Sequence, residues 1–399
     1  MATILFCAGD QSGEAHAAAL ARALRARLPG LRLLGLGGAK MRAAGVEIVV
    51  DQRELAVGGI VELIPELRRI VGAWRRLSRA LAEARPELVV LVDSGGFNLP
   101  FARRVRRRSG ARILYFIAPQ VWAWRPGRIR RLAAVADRIV VCLPFERAYY
   151  AARGVAVEAP GHPLVDAFAE ARAAEPAGET AKARRARVRQ TLGIPQDVPV
   201  VGLFPGSRRS ELARHLPLQL AAIERLRARE PVLAGVQAIV GLAAGFDEAD
   251  ARRAARGAFS AAGAGALHCV PTGDGALLDA LDVALTKPGT ITLEAALRGC
   301  PMVVMGRVHP LTAFIARRSV QVGFVALPNL LLEEEIVPEL LQADAMPDRI
   351  AERLAPLFAG PARARQLEGL ARAVARLGPP GAIERTAATV EEMLATPRA

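Results

Sequence analysis

A chain of 399 residues with 52% hydrophobic content can bury two sizeable cores, so two domains are the default. Its formal charge of +15 comes almost wholly from arginine, since Lys40, Lys182 and Lys287 are its lysines, and it suits nucleic acid, an anionic membrane or a phosphorylated substrate. Basic residues spread along many segments and 5% aromatics leave few stacking platforms for nucleic acid, and Cys7, Cys142, Cys269 and Cys300 are too isolated for a disulfide frame or metal site.

The opening run Thr3-Ile4-Leu5-Phe6-Cys7-Ala8 lacks the basic flank of a signal peptide and is predicted as a first strand. No apolar run approaches the roughly 18 residues of a membrane span. A cytoplasmic protein follows, meeting a membrane only by its surface. After the loop Gly9-Asp10-Gln11-Ser12-Gly13-Glu14, residues 15–28 repeat apolar side chains at helical spacing. Further strands are expected over 31–36, 47–50, 88–92, 113–117 and 138–142, with helices between them. This alternation predicts an α/β fold with a parallel sheet covered on both faces and ligands at the carboxyl ends of its strands. Asp10, Ser12, Asp93, Asn98 and Gln120 stand at such ends.

Between these elements, Ile60, Val61, Leu63, Ile64, Leu67, Ile70, Val71 and Trp74 form an apolar stripe interleaved with Arg68, Arg69, Arg75 and Arg76. Such a pattern is either an amphipathic core helix or a basic helix lying in a membrane interface. Residues 1–165 make the first domain, and 166–190, rich in Ala, Glu, Arg and Gly with little periodicity, read as a linker. A second alternating domain is expected over 191–345, with strands at 198–203, 237–241, 266–270, 283–286 and 302–305. Residues 346–399 are predicted to be helical, crossing back to the first domain or onto a partner subunit.

The second domain holds the most pointed local pattern. The apolar run ending at Phe204 stops at Pro205-Gly206-Ser207-Arg208 and gives way to a helix starting near Ser210. A helix N-terminus carries unpaired N–H groups and about half a positive charge, and Arg208 adds a fork of donors suited to phosphate. A plain strand-to-helix turn with solvated arginines is the equal alternative. Thr286-Lys287-Pro288-Gly289-Thr290-Ile291-Thr292-Leu293-Glu294 repeats the arrangement, with Thr290 placed to cap the helix and Glu294 able to accept ribose hydroxyls. Structural capping is the common meaning of those residues, yet two such ends in one domain favour a nucleotide diphosphate. Gly35-Leu36-Gly37-Gly38 lacks the third glycine of a dinucleotide fingerprint, no Walker lysine follows a Gly-rich loop, and five scattered histidines have no metal-ligand spacing. Neither a cofactor nor a metal is expected.

Read together, Gly9 to Glu14, Leu55-Ala56-Val57-Gly58-Gly59-Ile60-Val61-Glu62, Ala118-Pro119-Gln120-Val121-Trp122-Ala123-Trp124-Arg125, Leu143-Pro144-Phe145-Glu146, Gly161-His162-Pro163, Pro205-Gly206-Ser207-Arg208 and Leu327-Pro328-Asn329-Leu330 resemble the lipid-A-disaccharide synthase family, in the family's order over nearly the whole chain. The resemblance implies a GT-B glycosyltransferase: two Rossmann-like domains facing a central cleft, inverting and metal-independent. It implies the joining of UDP-2,3-diacylglucosamine to 2,3-diacylglucosamine 1-phosphate, with release of UDP, at the cytoplasmic face of the inner membrane. A homodimer is one option for its assembly, and nucleic acid is not a partner. With a diacyl substrate, Ile64, Leu67, Ile70, Val71 and Trp74 become the expected membrane contact.

Sugar transfer needs a base at the acceptor hydroxyl and positive potential at the departing diphosphate. Asp93 is the candidate base, because it ends an apolar strand at the expected cleft edge, where partial desolvation strengthens a base; an Asp capping the next turn is the alternative. Arg208, with the helix ends after Gly206-Ser207 and Gly289-Thr290, is the candidate for neutralising UDP. The resemblance assigns Asn329 and Glu294 to uridine or ribose, and Ser12, Asn98 and Gln120 to sugar hydroxyls or phosphate. His162 is either a ligand beside the domain junction or a packed structural residue. The chain departs from the family pattern in four places: Asp10-Gln11 and Glu14 in the first loop, Ser94-Gly95-Gly96 after Asp93 with loss of a second carboxylate, Pro288 before Gly289-Thr290, and Leu332-Glu333. Lys287-Pro288-Gly289 is also similar to other GT-B transferases acting on lipid-linked sugars. A UDP-N-acetylglucosamine 2-epimerase is a further alternative, as is a nucleic-acid-binding module, which would bind with steep salt dependence.

Overall fold

Apolar runs with no polar alternation, such as Leu88-Val89-Val90-Leu91-Val92, are suited to strands covered on both faces, and all five of these residues are buried. A computed structural model describes residues 2–55, 63–124, 127–256, 267–273, 275–310, 312–313 and 322–396; the side chains of 55, 63–67 and 124 are outside the description. The described residues fall into two compact units, one from Met1–Ala169 and Leu377–Ala399, the other from Glu170–Arg317 and Val322–Arg376.

In the first unit, β1 (Thr3–Ala8), β2 (Arg32–Gly37), β3 (Glu47–Asp51), β4 (Leu88–Val92), β5 (Arg112–Phe116) and β6 (Arg138–Val140) form a sheet in the order β3-β2-β1-β4-β5-β6. Every pairing is parallel, with Ile4 beside Leu88 and Thr3 beside Arg32. The twofold period of a strand divides β1 between two cores: Leu5 and Cys7 face one, Ile4, Phe6 and Ala8 the other. The strand order reverses direction beside β1, so the crevice for a ligand opens at the carboxyl ends of β1 and β4.

The second unit repeats this plan. β7 (Val200–Phe204), β8 (Gln237–Leu242), β9 (His268–Pro271), β10 (Val283–Thr286), β11 (Met302–Gly306) and β12 (Glu339–Leu341) are ordered β12-β11-β10-β7-β8-β9, all parallel. Its switch point lies between β7 and β10. Strand β12 is not among the expected strands of this domain; three residues at a sheet edge are too short for a periodic signal.

Two other expectations change. The stretch expected as linker contains the helix Ala181–Thr191, and its Arg189 is fully buried. The Arg189 guanidinium donates to the carbonyls of Ala280 (2.9 Å) and Gln196 (2.7 Å) and pairs with Asp282 at 3.0 Å, which is how a cation tolerates such burial. The last helices also divide. Ile350, Ala351, Leu354 and Leu370, from Pro347–Leu354 and Gly360–Ala375, enter cores of the second unit, whereas Ala382–Ala395 sends Ile383, Ala387, Val390 and Met393 into the first. The start of that final helix is held by Asp166, whose carboxylate accepts from Gly381 N (2.6 Å), Ala382 N (3.2 Å) and Ile383 N (2.7 Å).

The basic apolar stripe lies on the helix Leu63–Ala84. Ala73, Leu77 and Leu81 are buried there, and Trp74 packs edge-on against Phe97 and Phe101, each with ring centroids 5.6 Å away. Trp74 is thus a core residue instead of a membrane anchor: at helical spacing it shares the buried face of Ala73 and Leu77. Ile70 is partly exposed and Val71 is 40% exposed, while the side chains of Ile64 and Leu67 lie outside the described residues. No described helix is long and apolar enough to cross a membrane.

Candidate functional site

At the first switch point the loops after β1 and β4 are tied together. Asp10 caps the helix Gln11–Arg27, its Oδ1 accepting from Gly13 N (2.7 Å) and the Ser12 hydroxyl (3.0 Å), while Oδ2 accepts from the Ser94 hydroxyl at 2.9 Å. Asp93 and Ser94 have φ of 43° and 44°, and Ile117, ending the neighbouring strand, has 57°. Non-glycine residues in this left-handed region store of order 1–3 kcal/mol each, and persist where the surroundings over-determine them. The surroundings here are explicit. Asp93 N donates to Ile117 O at 3.1 Å, the Tyr115 hydroxyl donates to Asp93 O at 2.8 Å, and Asn98 Nδ2 donates to Val92 O (2.9 Å), Asp93 O (3.0 Å) and Cys7 O (3.2 Å). Asn98, expected to touch sugar, is buried and braces the backbone that presents Asp93.

Other motif residues of this unit prove to be scaffolding. Glu14 is buried and accepts from Lys40 N at 2.7 Å and from the Gln52 amide. Trp122 donates its indole N–H to Glu146 Oε1 at 2.9 Å and sits edge-on to Phe145 at 4.8 Å; Glu146 Oε2 accepts from Cys142 N (3.1 Å) and Leu143 N (2.8 Å). Burial pushes the Glu146 carboxyl above its ordinary range, against the pull of those donors. Two separate sequence motifs therefore lock into one joint that carries the loop of the exposed Gln120. Residues 56–62, 125 and the Trp124 side chain lie outside the described residues.

His162 is buried, its Nδ1 accepts from Leu164 N at 3.1 Å, and its ring meets that of His16 at 6.1 Å. The packed alternative is the one this geometry supports. Burial lowers His162 to about 3 and His16 to about 4. Both folded values lie below the ordinary value of about 6.5, so between them the unfolded chain binds more protons and stability falls as the pH is lowered. The contribution is intact above about pH 6.5 and lost as pH drops toward 4 and then 3. Urea midpoints measured from pH 7 to pH 5 should decline less steeply for His162→Gln than for wild type; equal slopes would count against the pair as the source.

In the second unit, Gly206 has φ of 131° and a Cβ there would collide with Glu211 Oε2. Glu211, in the first turn of the helix Arg209–Arg229, folds back over the loop. Its Oε2 accepts from Ser207 N at 3.0 Å; its Oε1 accepts from Arg208 Nη1 at 3.0 Å and lies 3.2 Å from Lys287 Nζ. Burial alone would push this carboxyl up, but Lys287 and Arg208 together outweigh it and hold Glu211 below the usual carboxylate range. His215, buried one turn on, lies 2.7 Å by Nδ1 from Pro205 O and 3.0 Å by Nε2 from Arg307 O, pinning the loop from behind.

After β10, Gly289 has φ of 135° and occupies the N-cap position itself, so Thr290 is the first helical residue and does not supply the expected cap. The Gly289 carbonyl accepts from the Thr292 hydroxyl at 2.8 Å. Glu294 is half-buried on the same helix. Asn329 is fully buried: Nδ2 donates to Val337 O (2.8 Å) and Glu339 Oε1 (2.9 Å), and Oδ1 accepts from Ile336 N (3.0 Å) and Val337 N (2.9 Å). Glu339 in turn accepts from Val325 N and Ala326 N at 2.9 and 2.8 Å. The Leu-Pro-Asn-Leu motif thus fixes the chain on both sides of its short helix, and Asn329 acts as a brace in place of the expected contact to uridine. Glu211, Lys287 and Glu339 were missed by sequence reasoning. A Glu in the first helical turn after Gly-Ser-Arg was a usable signal for the first.

No cluster of three or more His, Cys, Asp or Glu able to hold a metal occurs among the described residues. The chain's folding pattern is shared by UDP-GlcNAc 2-epimerase from Neisseria meningitidis bound to UDP-GlcNAc (TM-score 0.65, 11% identity, 98% of this chain and 99% of that one). The glycotransferase of kitacinnamycin is also similar (TM-score 0.57, 19% identity, 98% of each chain). At such identities the likeness speaks for the two-domain GT-B fold alone. Sequence carries further: lipid-A-disaccharide synthase of Myxococcus xanthus is 39% identical over 98% of this chain and 97% of its own length, and that of Geobacter sulfurreducens 38% over 98% and 97%. The family model for lipid-A-disaccharide synthetase matches residues 4–392. With that match running through both sheets and both switch points, the chain belongs to the lipid-A-disaccharide synthase family.

Proposed function

We propose that this protein joins UDP-2,3-diacylglucosamine to 2,3-diacylglucosamine 1-phosphate with inversion, giving lipid A disaccharide 1-phosphate and UDP. The match over residues 4–392 carries this reading. The first unit takes the acceptor. Asp93, on a backbone clamped by Asn98 and Tyr115, draws the proton from the attacking hydroxyl as the new glycosidic bond forms and the bond from the anomeric carbon to UDP breaks. Ser12 and Gln120, after β1 and β5, hold acceptor oxygens.

The second unit takes the nucleotide. Arg208 and the two helix N-termini at Ser207 and Gly289 receive the charge gathering on the departing diphosphate, and Glu294 accepts ribose hydroxyls. Arg68, Arg69, Arg75 and Arg76 are exposed on the helix that bears Val71, which fits a peripheral contact with anionic lipid at the cytoplasmic face. An epimerase would act on the sugar nucleotide alone, and the fold likeness that suggests one comes with 11% identity. Discontinuous measurement of UDP separates the two: release should require both acylated sugars, and turnover of donor without acceptor, or of UDP-N-acetylglucosamine, would defeat the transferase reading.

A further inference from the structure

The two helix ends of the second unit are joined through side chains. Lys287 leaves the end of β10, and its Nζ lies 3.7 Å from where a Cβ on Gly289 would stand, beside the start of the helix Thr290–Leu297. The same Nζ lies 3.2 Å from Glu211 Oε1, at the start of the helix Arg209–Arg229. Glu211 meets Arg208 and Ser207 N as well. One carboxylate therefore engages two cations and the loop N–H just before a helix, a donor set suited to a diphosphate.

We propose that Lys287 is a second diphosphate-binding cation of the nucleotide site and that Glu211 is an internal counter-ion which the diphosphate displaces. The inference rests on the reading of the second unit as the UDP-sugar site. The position of Glu211 follows from elementary electrostatics: two cations and a helix N-terminus repel one another unless an anion lies among them. Without nucleotide the anion is Glu211, partly buried and held ionised by Lys287 and Arg208. A diphosphate carries more charge than one carboxylate and presents more oxygens, so it replaces Glu211 at Lys287, Arg208 and Ser207 N. Gly206 is the complementary half of the device, because any side chain there would occupy the space into which Glu211 folds. Glu211 is then a positioning residue that keeps both cations aimed at the loop, at the expense of UDP affinity.

Calorimetry on the full chain with UDP and with uridine tests this. Glu211→Gln keeps the volume and an oxygen for Ser207 N, and removes the competing charge; it should bind UDP about fivefold or more tightly than wild type, with uridine unchanged. Lys287→Met should weaken UDP by about tenfold, leave uridine unchanged and flatten the salt dependence of UDP binding. If Glu211→Gln, folded by circular dichroism, binds UDP equally or more weakly, the carboxylate is only a loop scaffold and the counter-ion proposal fails. If Lys287→Met keeps wild-type UDP affinity, the second cation fails. Absence of UDP binding by the wild type would instead remove the nucleotide-site reading, and this inference with it.

Discussion

Asp93→Asn should lower kcat by about 100- to 10,000-fold while UDP affinity stays within about twofold of wild type. The expectation follows from the division of labour between the two units. An amide cannot take the proton of an acceptor hydroxyl, but it preserves the size of the side chain and leaves the clamp on its own backbone untouched. Because Asn98 and Tyr115 hold the Asp93 carbonyl, and not its carboxylate, the substituted side chain stays on the same strained backbone. Tyr115→Phe is the informative companion: it loosens the clamp without touching the carboxylate, so it should reduce kcat by far less and leave KM nearly unchanged. Single-turnover rates with both acylated sugars give the comparison, and near-wild-type turnover by Asp93→Asn would take that residue out of the base role.

Arg208→Ala should cost on the order of 100- to 1,000-fold in kcat/KM. The Arg208 side chain is 40% exposed and its guanidinium is tied to the protein through Glu211, so it is reachable by a ligand and already oriented. Arg208→Lys should recover only part of the loss, since an ammonium offers a point charge where a planar fork can grip two phosphate oxygens. Titration with UDP and UMP completes the test: the penalty for Arg208→Ala should be larger with UDP. Equal penalties would place the arginine away from the terminal phosphate.

Much of the fold was readable because its strands are continuous apolar runs bounded by Gly-rich loops; Leu88–Val92 and Val283–Thr286 fall where that pattern put them. The misreadings share a physical origin. Trp74 follows the same helical spacing whether an apolar face meets lipid or Phe97 and Phe101, and periodicity carries no record of which. Asn98 was expected at a ligand because it is polar and stands by a strand end, and Asn329 because the family resemblance assigned it to the nucleotide. Yet the ends of elements also carry unpaired backbone groups, and Asn98 braces them while Asn329 braces them together with the Glu339 carboxylate. Trp122 and Glu146 belong to motifs 24 residues apart, and only the folded chain brings indole to carboxylate. Glu211 was passed over for the opposite reason: a Glu in a first helical turn is common, so the signal it gave passes as ordinary capping and not as a reach back to Arg208 and Lys287.

The final helix, Ala382–Ala395, gives the chain an awkward birth. Four of its side chains complete the hydrophobic interior of the unit that holds β1, which is synthesised long before them. At about 5–20 residues per second, the roughly 240 residues between β6 and this helix keep the sheet waiting about 12–50 s for its missing piece. Meanwhile an unfinished apolar face beside β1 is open to solvent. A nascent chain stalled just short of Asp166's helical partner should recruit holdase chaperones for as long as the pause lasts, and release them when Ile383, Ala387, Val390 and Met393 arrive.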